Sequence, residues 1–241
     1  KLKGVIKTGR THLMDAMPLN MSQELSAWTD QLESTKESLL KVSDQLLLMP
    51  QGGTAVGTGI NTHPRFSKEF AKEVSKLGKF KAIPSANFFR SLSAQDTSLR
   101  LSGEMRNLAT ILMKISNDLR WMNSGPLSGL SEIELKALQP GSSIMPGKVN
   151  PVIPEAVMMV SAEVIGNDST ITIAAQSGNF QLNVMLPVIA FKLLESINIL
   201  SGAMDILAKK AIRTFKVKHT NIQHSLNKNP ILVTALNPVI G

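Results

Sequence analysis

Apolar positions along the chain recur at helical spacing over unusually long runs. Leu25, Trp28, Leu32, Leu39, Val42 and Leu46 step by three and four with Thr35 in the gap, which predicts one long helix with a narrow packing seam. The same alternation runs through Leu101, Met105, Leu108, Leu112, Ile115, Leu119 and Met122, and again through Leu193, Ile197, Leu200, Met204, Leu207 and Ala211. A fourth helix is predicted from Glu155 to about Ala175, with Pro154 just before it; Pro187 similarly opens the third run, where a missing amide hydrogen costs little. Strand signals at Ile171, Ile173 and Val184 are weak, and no hairpin turn joins paired alternating runs. The expectation is an all-α bundle of long helices, with Gly/Ser/Pro-rich loops at Pro50 to Pro64, Asn123 to Pro151 and Ser177 to Asn183. Seams of this length exceed what one chain covers, so helix-to-helix oligomerisation is expected.

The 241 residues suffice for a sizeable core, and 43% hydrophobic content argues against disorder. With no cysteine there is no disulfide framework, thiolate metal site or cysteine nucleophile. The net charge of +8 raises nucleic-acid binding, through Lys68, Lys72, Lys76, Lys79 and Lys81 or through Lys209, Lys210, Arg213, Lys216 and Lys218. The first cluster reads better as a solvated helix face, and 4% aromatic content leaves few stacking platforms, so no nucleic-acid partner is expected. The uncharged stretches Gln45 to Pro64 and Ser169 to Phe191 are interrupted by glycines, amides and Pro187, and read as buried segments and turns rather than membrane spans. The chain begins at Lys1, without a signal peptide, and looks like a piece of something longer.

Chemistry concentrates in Gly141-Ser142-Ser143-Ile144-Met145-Pro146-Gly147-Lys148-Val149-Asn150-Pro151. Adjacent hydroxyls, two glycines and a Lys and Asn two residues apart could wrap a carboxylate or phosphate. The phosphate-loop pattern fits poorly, because the glycines are one residue too far apart and Val149 stands where a magnesium-binding hydroxyl belongs. Gly52 to Gly59 reads as a tight crossing between helices rather than a nucleotide loop. Of the histidines His12, His63, His219 and His224, none has metal-ligand spacing backed by carboxylates, so no metal is expected; His12 sits at the start of the first helical region.

These segments resemble the fumarase/aspartase superfamily, most closely its class II fumarases. Gly141 to Asn150 reproduces the superfamily signature GSSxMPxKxN, and Lys7 to Ala16 is similar to the family's K-x-G-R-T-H-L-Q-D-A segment. Gly52 to Pro64, Gly178 to Asn183 and the closing Leu236 to Gly241 also look like fumarase segments. The resemblance implies that residues 1–241 are a central five-helix domain, with the family's N-terminal and C-terminal domains absent from this chain, and that its helices build a homotetramer whose active sites are shared between subunits. It further implies cofactor-free, reversible trans addition of water to fumarate, giving malate. Ser142 matches the catalytic base, and Ser143, Lys148 and Asn150 match contacts to substrate carboxylates. Thr11 matches a substrate-binding hydroxyl, and His12 a histidine that pairs with a glutamate, matched by Glu155, to govern the departing or adding water.

The match departs from the usual pattern at Met14, Leu127, Lys136 and Gln181, and Pro230 should interrupt a helical region. Ammonia elimination from aspartate on the same scaffold is the alternative, disfavoured by Asn61 to Pro64 and by Asn179-Phe180. A catalytically silent oligomerisation domain is another. The implied setting is cytoplasmic, or the mitochondrial matrix if the source is eukaryotic.

Overall fold

The computed structural model describes residues 2–139 and 141–231; the motif at Leu236 to Gly241 lies outside them. Four long helices dominate: α1 (Met21–Ser43), α4 (Asp96–Met122), α5 (Val152–Gln176) and α6 (Leu186–Ile206), of 23, 27, 25 and 21 residues. α1, α4 and α6 coincide with the three runs of apolar periodicity, the first and third of which continue into the short helical turns Asp44–Leu47 and Leu207–Ile212, and α5 covers the fourth predicted helix. Pro154 and Pro187 fall within the first turns of α5 and α6, as their missing amide hydrogens require. Shorter helices are α2 (Phe66–Gly78), α3 (Phe88–Ser93) and α7 (His219–Lys228), the last ending before Pro230. Two of the lysines grouped above lie beyond the helix they were expected to share, since α2 closes at a left-handed Lys79 and Lys81 follows it.

The chain divides into two compact units, and each long helix supplies residues to both. The first comprises Lys1–Glu33, Ile111–Met159 and Gly202–Gly241. Its core gathers Met21, Trp28, Ile115, Leu119, Met122, Ile133, Val157, Leu207, Ala211, Ile222 and Leu226. It also contains a feature that the periodicity did not predict, an antiparallel hairpin of β1 (Ile6–Thr11) and β2 (Met14–Asn20). His12 therefore sits in a hairpin turn rather than at the start of a helix. The connection is the two-residue His12-Leu13, with φ of 56° and 62°. Left-handed angles at both loop positions match the twist of the flanking strands, but Asn and Gly usually supply them. A histidine and a leucine in that conformation signal strain of order 1–3 kcal/mol each. α7 packs against β1, and β5 (Ile133–Glu134) pairs with β6 (Lys216–Val217).

The second unit comprises Ser34–Thr110 and Val160–Ser201. Its buried side chains include Met105, Leu108 and Ala109 of α4, together with a cluster of Ile171, Ala174 and Ile189 flanked by Leu99, Val188 and Leu193. Two-residue strands β3 (Leu48–Met49) and β4 (Ile83–Pro84) pair in parallel. The glycine-rich segment from Gly52 is a compact turn, with Gly52, Gly57 and Gly59 at positive φ and Gly53 closed against Phe88. Asn183 is wholly buried and closes the corner between α5 and α6. Its Nδ2 donates to the carbonyls of Ala174 and Ala175 at 3.0 and 3.1 Å, and its Oδ1 accepts from the Met185 amide at 2.8 Å. One side chain thus satisfies both ends of the turn. Asp168, also buried, accepts from Ser102 Oγ at 2.6 Å and from the Arg106 guanidinium at 2.8 Å.

Asn183→Ala strips three hydrogen bonds from buried groups and should cost on the order of 2 kcal/mol or more, read as a lower urea midpoint at unchanged slope. Hydrogen bonding to Arg90 holds Asp96 below its ordinary carboxylate value, and hydrogen bonds from Lys192, then Asn167, do the same for Glu195. A depressed carboxylate contributes stability above its unfolded pKa and loses it as pH falls through the folded one. Stability should therefore decline below about pH 4, and Asp96→Asn should flatten that acid limb in thermal melts.

Candidate active site

The signature loop is built to close on itself. Ser142 Oγ accepts hydrogen bonds from the backbone amides of Ile144 and Met145, both at 3.3 Å. Asn150 Nδ2 donates to the Gly141 carbonyl at 3.4 Å, and the Lys148 amide donates to the Met145 carbonyl at 3.3 Å. The two ends of the loop meet so tightly that a Cβ on Gly141 would lie 2.0 Å from the Lys148 carbonyl oxygen. Only glycine fits there, whereas Gly147, at φ +75°, faces open space and is needed for its backbone angle. The outcome is a serine oxygen with two amide dipoles aimed at it. Ser143 and Lys148 are exposed, and Ser142 and Asn150 are half-buried.

Thr11 and His12 are exposed at the tip of the hairpin. Glu155 lies in the first turn of α5, where a carboxylate is favoured by the helix dipole. Its neighbour is Arg120 of α4, with Nε 3.9 Å from Oε1, a distance that leaves carboxylate lone pairs free. Among the described residues, no hydrogen bond or ion pair joins His12 to Glu155, or either of them to the Ser142 loop. Within one copy the hairpin tip, the serine loop and the helix terminus are thus not joined by any such contact among the described residues. Cavities of about 590 Å³ beside Arg90 and Asp96 and beside His219 and His224 have none of these groups in their walls.

A family model described as lyase matches residues 1–166. The chain belongs to this lyase family. Among its relatives, "fumarate hydratase class II 2" of Pseudomonas aeruginosa is 58% identical over 236 residues, covering 98% of this chain and 52% of that protein. Fumarate hydratase class II of Bacillus subtilis is 45% identical, covering 98% of this chain and 51% of its own length. The crystal structure of class II fumarase from Schistosoma mansoni superposes with a TM-score of 0.94 at 39% identity, over 98% of this chain and 53% of that one. The chain spans about half the length of the relatives it matches. As a lyase-family chain, it carries the serine loop and the hairpin histidine on a fold shared with fumarases.

The sequence motifs located Ser142, Lys148, Asn150, Thr11 and His12, but the ion-pair network beneath the hairpin, formed by Lys7, Arg10, Glu24 and Glu132, escaped them. A charged side chain at position 7 facing the core has no periodic signal of its own. Gly141→Ala should force the loop ends apart, so that tryptic cleavage after Lys148 accelerates several-fold while the thermal midpoint stays within a few degrees; an unchanged cleavage rate would contradict the closed-loop geometry.

Proposed function

We propose that the protein to which this chain belongs catalyses the reversible, cofactor-free hydration of fumarate to malate. The observation that carries this reading is the pair of amide donors at Ser142 Oγ. A serine hydroxyl is a weak base, and abstracting a proton from the carbon beside a carboxylate requires it to act as an alkoxide. Two preorganised N–H dipoles stabilise that charge without reorganisation, and Lys148 in the same loop adds a cation. The relatives named fumarate hydratase support the same substrate pair, and favour it over ammonia elimination from aspartate.

In the elimination direction, Ser142 removes the proton from the carbon beside one malate carboxylate. Negative charge grows on that carboxylate as the carbanion delocalises, and Ser143, Lys148 and Asn150 bind it there. On the opposite face His12, partnered by Glu155, protonates the departing hydroxyl, which leaves as water, while Thr11 orients the substrate. Hydration is the reverse, and the opposed placement of the two groups makes it a trans addition.

Because one copy presents these groups separately, the reading includes a homotetramer in which copies pool their hairpins, loops and helix termini. The exposed apolar face of α6 supports it: Phe191 is 61% and Leu194 62% exposed, with Ile197 and Met204 also open. By length and composition alone Leu186–Ile212 could cross a membrane. Lys192, paired with Glu195 at 2.8 Å and Glu163 at 3.7 Å, makes a protein partner the better cover. Like α6, α5 leaves Met159 and Ile173 uncovered.

The test follows fumarate absorbance from malate and from aspartate in parallel, with the full-length gene product. Malate turnover that falls on the order of 100-fold or more in Ser142→Ala is the expected result. Turnover of aspartate instead, or of neither, would overturn the proposal.

A further inference from the structure

The hairpin that carries Thr11 and His12 is strained at its tip and hangs from a buried cluster of charges. Lys7, the second residue of β1, is 1% exposed. Its Nζ lies 2.7 Å from Glu24 Oε2 of α1 and 2.6 Å from Glu132 Oε2. Arg10, on the same strand, places Nη1 2.8 Å from the other oxygen of that carboxylate, Glu132 Oε1. A single glutamate therefore receives two cations from β1, three residues apart in sequence.

Residues three apart on a regular strand face opposite sides. The β1–β2 ladder is not regular: its register slips between Thr8 and Arg10, where Ala16 and Met17 of β2, the bulged strand, stand opposite the single Gly9 of β1. Such a bulge increases the local twist and re-aims side chains. A Cβ on Gly9 would meet the Met17 carbonyl oxygen and Leu19 Cδ2, each at 2.7 Å, so the bulge is closed to any other residue. Glu132, in turn, is tied down by its own backbone. Its amide donates to the Met122 carbonyl at the end of α4 at 2.8 Å, and its carbonyl accepts from the Lys218 amide at 2.9 Å.

We propose that Glu132 is a positioning residue: by holding Lys7 and Arg10 on one anchored carboxylate, it sets the register of the bulged hairpin and hence the place of Thr11 and His12. Burying these charges is a poor way to add stability, since a packed apolar cluster serves as well, but it is a good way to select one register. A slip by one residue would separate both cations from Glu132 and leave a buried charge uncompensated. The arrangement also opposes the strain at His12 and Leu13, which would otherwise favour relaxation of the tip. The catalytic part of this inference rests on the fumarate-hydration reading; the structural part does not.

Glu132→Gln in the full-length protein keeps the shape and removes the charge, while Lys7 retains Glu24. Arg10→Gln is a milder second variant that leaves the Lys7 pairs intact. Two measurements are read together. Hydrogen exchange should show faster exchange across residues 6–20 in Glu132→Gln, with the Asp96–Met122 and Leu186–Ile206 helices unchanged. Malate kinetics should show KM raised about three-fold or more and kcat lowered about ten-fold, with smaller changes of the same sign in Arg10→Gln. Loss of folded protein would lower kcat and leave KM where it was, because KM does not depend on the concentration of active enzyme. Hairpin protection equal to wild type in Glu132→Gln overturns the positioning role whatever the activity. An inactive wild type overturns the hydration reading instead, and the exchange measurement still decides the role of Glu132.

Discussion

Four helices of 21 to 27 residues carry apolar faces that a single copy of this chain leaves partly uncovered, and most of what the molecule can do depends on that constraint. The open faces on α5 and α6 suit the partner copies proposed above, and the ion pairs around Lys192 favour protein over lipid as their cover. The same geometry leaves the chemically distinctive groups on the outside of the copy. Thr11 and His12 stand at a hairpin tip, Ser142 and Lys148 on a loop, and Glu155 at a helix start. In the proposed tetramer, association of copies would both bury the helices and complete the site.

Around these outward-facing groups the chain is locally rigid. Gly141 closes the serine loop where no side chain fits, and the amides of Ile144 and Met145 converge on one oxygen. The hairpin is pinned from below by Lys7 and Arg10 on Glu132, and Asn183 locks the corner between two core helices. Each device sets a position at some energetic cost: a strained φ, a buried charge or an amide removed from water. Costs of this kind are expected where geometry matters more than stability.

Three of the long helices were legible because a period near 3.6 repeats through five or six turns, leaving little room for another reading. The hairpin was not, because its strands are short, β2 contains Pro18, and its turn is His12-Leu13 rather than the Asn-Gly or Asp-Gly that marks such connections. The residues of the serine loop were legible as a motif, but the orientation of the Ser142 oxygen toward two amides is a property of backbone shape. The Glu132 network joins residues far apart in sequence, and no local pattern announces it. Likewise, Glu155 was matched to His12 by resemblance, while within one copy its neighbour is Arg120.

In the tetramer proposed above, a working site draws the hairpin and the serine loop from different copies. This sharing is tested most directly by co-expressing full-length His12→Asn and Ser142→Ala variants, each inactive alone, and purifying the mixed oligomers. In such hybrids some sites regain an intact His12 from one copy and an intact Ser142 from another, so malate turnover should return to about a quarter of wild type with random mixing. Mixed oligomers that form and stay as inactive as either parent would contradict the account.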